Sequence, residues 1–222
     1  MSENTPFQEP NPDEPTIEGL IKTTTMRTEQ LFSDLRSSGA LLPTSMSLKE
    51  AIRARRTGYR EYKHEGPLGR IIFVEEPKTG RTGLTVTSGL TESVITTGNK
   101  PKDRLRLISR RGPFADSGRT QRTQLTMFPQ ETPPIVEVKN FTDKRPPNYK
   151  DEVSKIDLRA IVLHDPEATR QELWELQGRI NVGPQGVVDA KTAQTHTQDY
   201  FLVVEAQLAE VLGDGWRGPA QN

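Results

Sequence analysis

Residues 68–98 read LGRIIFVEEPKTGRTGLTVTSGLTESVITTG, and the order of apolar and polar positions in this run decides the fold class. Arg70-Ile-Ile-Phe-Val74 is almost continuously apolar, which suits a strand covered on both faces. Leu84-Thr-Val-Thr87 alternates, as a half-buried strand does, and Lys78-Thr-Gly80 with Gly83 supplies a hairpin-like connection between the two. Ser93 to Thr97 is a further short strand, closed by Gly98-Asn99. Downstream, Arg104-Leu-Arg-Leu-Ile108 alternates so that Leu105 and Leu107 share one face and Arg104 and Arg106 the other. Gln124 to Phe128 and Ile135 to Val138 complete the set. Gly112-Pro113 and Asp116-Ser-Gly118 are turn material, and an Arg-rich mobile loop is expected over residues 110–122. Strands recurring about every ten residues without intervening helices predict an α+β protein built on a central, mainly antiparallel sheet, as a sandwich or small barrel.

Working outward, residues 1–24 are expected to be a flexible, acidic, Pro-rich arm, with Pro6, Pro10, Pro12 and Pro15 in its first part and Ile17-Glu-Gly-Leu-Ile21 as a short docking segment. Residues 25–66 form a helical segment. Its first helix, Thr25 to Arg36, carries Leu31, Phe32 and Leu35 on one face and stops before Gly39. Its second begins at Ser47, which with Glu50 makes a capping box, and runs from Leu48 to Thr57 with Gly58 as terminator. Leu48, Ala51 and Ile52 give that helix a thin apolar stripe, with Lys49, Arg53, Arg55 and Arg56 over most of the remaining circumference. The β-rich core covers 67–143 and a polar linker 144–152. A strand (Ile156 to Leu163) and two helices (Pro166 to Arg179, and Tyr200 to Leu212) pack on the core within 153–213. The tail, 214–222, holds an exposed Trp216.

Composition sets the class of function. The chain has 222 residues, of which 32% are hydrophobic, and no cysteine, so disulfides, thiolate metal sites and cysteine nucleophiles are excluded. No signal peptide opens the sequence and no apolar run reaches the ~18 residues of a membrane span, so a cytoplasmic or virion location is expected. Net charge is zero but unevenly spread. Residues 49–122 hold 17 Lys/Arg against 8 Asp/Glu, while residues 149–222 hold 7 against 12. A basic middle between acidic ends points to an anionic partner or to copies of the chain docking on one another.

Two basic groups are candidates for nucleic-acid binding. Arg53, Arg55, Arg56, Arg60 and Lys63 are interleaved with Tyr59 and Tyr62, a mixture of phosphate contacts and stacking faces. Lys100, Lys102, Arg104, Arg106, Arg110, Arg111, Arg119 and Arg122 fit a strand face with a cationic loop beside it. The same residues would also suit an anionic membrane, or edge protection of an ordinary solvated sheet. Pro146-Pro147-Asn148-Tyr149 matches the short PPxY form gripped by WW domains. His164-Asp165 is the one pairing that suggests an enzyme, although Asp165 also reads as a helix cap. The sequence thus favours a non-enzymatic, self-associating structural protein without a cofactor that binds RNA or another polyanion, as a virion coat, capsid or nucleocapsid-type protein does. The alternative is a matrix-type membrane-surface adaptor recruiting WW-domain proteins through Pro146, Pro147 and Tyr149.

Overall fold

The computed structural model describes residues 15–98, 104–112, 119–144 and 175–217. Their architecture is α+β: one open antiparallel sheet of nine strands in sequence order, with the two long helices packed on one face. The strands are β1 (Leu42–Pro43), β2 (Arg60–Gly66), β3 (Gly69–Glu76), β4 (Arg81–Ser88), β5 (Thr91–Thr97), β6 (Leu105–Arg111), β7 (Arg119–Phe128), β8 (Ile135–Lys144) and β9 (Gly186–Val187). The helices are α1 (Ile17–Ser37), α2 (Leu48–Thr57), α3 (175–181) and α4 (Ala190–Leu212), followed by a 3-10 turn at Asp214–Arg217. Among the described residues the sheet neither closes nor doubles. The second layer is helical, where a sandwich or barrel was expected.

Alternation builds the core. Phe73, Leu84, Ile95, Leu107, Leu125 and Val138 are register partners in turn across β3 to β8, and all are buried. They form one continuous apolar row on the inner face. Tyr200, Phe201, Val204 and Leu208 of α4 and Leu31, Phe32 and Leu35 of α1 belong to the same core. The Tyr200 hydroxyl donates to the Val94 carbonyl at 2.8 Å, and Gln207 Nε2 donates to the Thr91 carbonyl at 3.2 Å, so α4 is pinned to β5 by polar groups as well. Arg27 of α1 pairs with Glu205 of α4 at 2.9 Å and lies over the Phe201 ring.

Several boundaries differ from expectation. Helix α1 starts at Ile17, because Thr16 caps it and Leu20 and Ile21 are buried in its first turns. The Thr23-Thr-Thr25 run reads as helix-averse, but Thr24 and Thr25 hydroxyls donate to carbonyls four residues back. Arg60 to Gly66 is a strand paired with β3 over its full length, although its polar residues carry little strand signal. Arg110, Arg111, Arg119 and Arg122 lie in β6 and β7 rather than in a mobile loop. Val74 and Ile72 are half-buried, so β3 is covered on one face only. Trp216 is 7% exposed and joins the core. Helix α4 covers Tyr200 to Leu212, the least extent expected of it, and starts at Ala190, capped by Asp189, whose carboxylate accepts from the Thr192 amide. The expected strand at Ile156 to Leu163, the linker from 145 on, and the start of the helix from Pro166 lie outside the described residues.

Helix α2 has the expected cap, extent and stop. Ser47 and Glu50 form the reciprocal box, and Gly58 ends the helix at φ 74°, a left-handed conformation that favours glycine. Its apolar stripe faces solvent: no residue of α2 is buried, and Leu48 and Ile52 are 82% and 60% exposed. Hydrogen bonds from Ser47 hold the Glu50 carboxyl below its usual range. With so little packing beneath it, α2 opens locally. Ser47→Ala removes one cap of about 1 kcal/mol and is expected to raise amide exchange in α2 roughly fivefold, with the global melting temperature nearly unchanged. Lowering the pH through the folded pKa of Glu50 has the same effect, since the box is formed by the carboxylate.

A candidate nucleic-acid interface

The outer face of the sheet is formed by the residues that alternate with the core row. Val74, Gly83, Thr96 and Arg106 are successive register partners across β3 to β6. A Cβ at position 83 would sit 3.0 Å from Val74 Cγ2, so the glycine lets the Val74 side chain lie close against β4. These residues belong to an open groove of about 450 Å³, lined by Arg53, Val74, Glu76, Arg81, Thr82, Gly83, Thr96, Thr97, Arg104 and Arg106. Four guanidinium groups thus reach one groove from α2, the start of β4 and the start of β6.

Their charges are not equally available. Arg53 pairs with the carboxylate of buried Glu76, which also accepts from the Thr79 hydroxyl at 3.0 Å, and its guanidinium lies over the Tyr59 ring. Arg104 stacks on Phe128 with 4.2 Å between guanidinium carbon and ring centre. Stacking orients a guanidinium and leaves its hydrogen-bonding edge and its charge free. Arg106 is exposed and has no hydrogen-bond or ion-pair partner among the described residues. The lining therefore carries four cations against one carboxylate that is already matched. On this face Arg104 and Arg106 stand about 6.8 Å apart, with Ile108 next and Arg110 beyond it.

The remaining predicted residues fall in several places. Arg55 and Arg56 are exposed on α2, and Arg60 is exposed at the first position of β2. Lys63 pairs with Glu61 at 2.9 Å, which raises its pKa. Arg110 pairs with Glu92, and Arg122, opposite Arg110 in the register, lies over Phe141. Like charges in adjacent strands repel, and the carboxylate and the ring offset that cost. Two residues do not take their expected roles. Tyr59 is 5% exposed, with its hydroxyl donating to the Glu61 carboxylate, so its ring offers no face for a base; burial, then that bond, raises its pKa. Arg111 alternates onto the inner face near Gly178, where desolvation lowers its pKa. Arg119 has a described strand position only, and Lys100, Lys102, Pro146, Pro147, Tyr149, His164 and Asp165 lie outside the described residues. Arg81, Gly83 and Thr96 were missed by sequence reasoning, because only the β3–β4–β5 register places them beside Arg53 and Arg106.

The inner side has a titratable group of its own. His196 of α4 is buried against Gly183, and burial holds its pKa below the usual 6.5, with the Asp199 carboxylate acting in the opposite sense and itself paired to Arg179 at 3.2 Å. The unfolded chain then binds the proton more readily. Stability from this group is present above about pH 6.5 and declines as pH falls, with a slope no steeper than about 1.4 kcal/mol per pH unit. Melting curves between pH 7.5 and 5.5 are expected to shift downward, and less so in His196→Gln.

Among the described residues no cluster of three His, Cys, Asp or Glu side chains could hold a metal ion, and no helix is long and apolar enough to cross a membrane. Comparison of the chain with known protein families, with curated proteins and with solved structures gives no match.

Proposed function

We propose that the protein is a non-enzymatic binding protein whose outer sheet face takes up a polyanion, with single-stranded RNA as the favoured class. The observation that carries this reading is the convergence of Arg53, Arg81, Arg104 and Arg106 on one open groove, from positions up to 53 residues apart in sequence. Guanidinium forks match phosphate oxygens, and the threonine hydroxyls beside them add neutral donors. The described lining offers no histidine, serine or cysteine to act on what is bound, so the arrangement suits holding rather than turnover. The groove is open to solvent, which favours an extended chain of phosphates over a small enclosed anion. Self-association, the other part of a coat-type role, would use side-chain surfaces, because both sheet edges are two-residue strands and β1 ends in Pro43.

The test is retention of labelled single-stranded RNA over a salt series. An electrostatic interface gives a linear fall of log affinity with log salt, about 0.7 per phosphate neutralised on a single strand. A flat response, or no binding at low salt, would remove the reading. A small-anion site is the competing outcome: inorganic phosphate would then displace RNA at concentrations too low to act through ionic strength.

A further inference from the structure

We infer that α2 is an interfacial helix, and that its outward face rests on an anionic bilayer surface. The evidence is independent of the groove. Leu48 and Ile52, one turn apart, occupy the middle of the face turned to solvent, and Leu42 and Met46 on the adjoining segment are exposed as well. At 100° per residue, Lys49 and Arg56 flank this stripe on one side and Arg55 on the other. The two charged residues of the helix that would disturb the pattern are turned away: Glu50 is folded back into the capping box, and Arg53 is tied to Glu76. What faces outward is an apolar centre with a cationic rim. That is the distribution a headgroup layer matches, aliphatic tips entering the acyl boundary while lysine and arginine ends stay with lipid phosphates.

Two other occupants fit less well. A second copy docked face to face would set Lys49, Arg55 and Arg56 against their own equivalents, a like-charge contact that disfavours association. RNA would satisfy the cations and leave Leu48 and Ile52 unused, since aliphatic tips offer no stacking face.

The experiment is co-sedimentation of the full chain with vesicles of phosphatidylcholine containing about 30% phosphatidylserine, against pure phosphatidylcholine, at low salt. The wild type is expected to pellet with the anionic vesicles only. Leu48→Asp with Ile52→Asp is expected to lower partitioning at least about tenfold while leaving RNA retention unchanged, because neither residue lines the groove. Arg55→Glu with Arg56→Glu is expected to abolish the preference for phosphatidylserine. Three results would each overturn the inference. One is absence of pelleting at low salt; another is a Leu48/Ile52 variant that pellets like the wild type. The third is a loss of self-association or of thermal stability in that variant without vesicle binding by the wild type, which would assign the stripe to a second copy or to another part of the chain.

Discussion

Arg104→Glu combined with Arg106→Glu is expected to weaken binding of single-stranded RNA on the order of a hundredfold at low salt, and to flatten the log–log salt dependence by about 1.4 or more. Both side chains are exposed and neither makes an ion pair among the described residues, so the fold has little to lose. Arg104 gives up its stack on Phe128, about 0.5–1 kcal/mol at an exposed site. The groove, by contrast, goes from four cations and one carboxylate to two cations and three carboxylates. Anisotropy titration of a labelled oligonucleotide at several salt concentrations reads both quantities. Gly83→Thr separates shape from charge: it adds a side chain suited to a strand to the groove lining, where the Val74 methyl must shift to admit it, and changes no charge. It is expected to weaken binding with the salt slope nearly intact. Equal binding by wild type and the double glutamate variant would place the interface elsewhere on the molecule.

Phe73→Ala is expected to cost about 3–5 kcal/mol, enough to unfold a large fraction of a marginally stable domain. Phe73 is 1% exposed and sits where three elements meet. Its ring lies 5.3 Å from Phe32 of α1 and 6.2 Å from Tyr62 of β2, and Arg36 stacks above it. No neighbour is free to collapse into the space, because the same row continues through Leu84 and Ile95. Urea melts followed by circular dichroism give the difference. A cost under about 1 kcal/mol would mean that α1 does not close the sheet as described.

The sheet was legible where alternation is apolar. Leu105 and Leu107, or Leu84 and Val86, mark a face because every second residue is buried, and the cores of β3 to β8 were located from their apolar residues. It failed where the partner face is solvent on both ends. Arg60 to Gly66 and Gln121 to Thr123 are strand because neighbours offer a ladder, and nothing in their side chains announces it. Caps behaved the same way. Ser47 with Glu50 is a complete local signature, whereas Thr16 and Asp189 start helices whose first turns, Ile17-Glu-Gly-Leu20 and Ala190-Lys-Thr-Ala193, carry no such box, and only tertiary packing reveals them. The orientation of α2 was invisible for a different reason: Leu48 and Ile52 define a stripe, but periodicity does not say which side of a helix meets the protein.

The candidate site was half visible. Charge density picked out the region and strand alternation paired Arg104 with Arg106. The fate of each cation depended on distant carboxylates and rings. Glu76 takes Arg53, Glu92 takes Arg110, Phe128 and Phe141 lie under Arg104 and Arg122, and a one-residue alternation sends Arg111 to the inner face. Register, not composition, sorts the available charges from the structural ones.

Ultraviolet crosslinking of single-stranded RNA to the wild-type chain, with the modified peptides identified by mass spectrometry, tests the central claim most directly. Crosslinks concentrated around the groove, at Arg53, within Arg81–Gly83, at Thr96 and Thr97 and within Arg104–Arg106, are the predicted result. Crosslinks confined to α1, α4 or the 3-10 turn, with the outer strands unmodified, would contradict it.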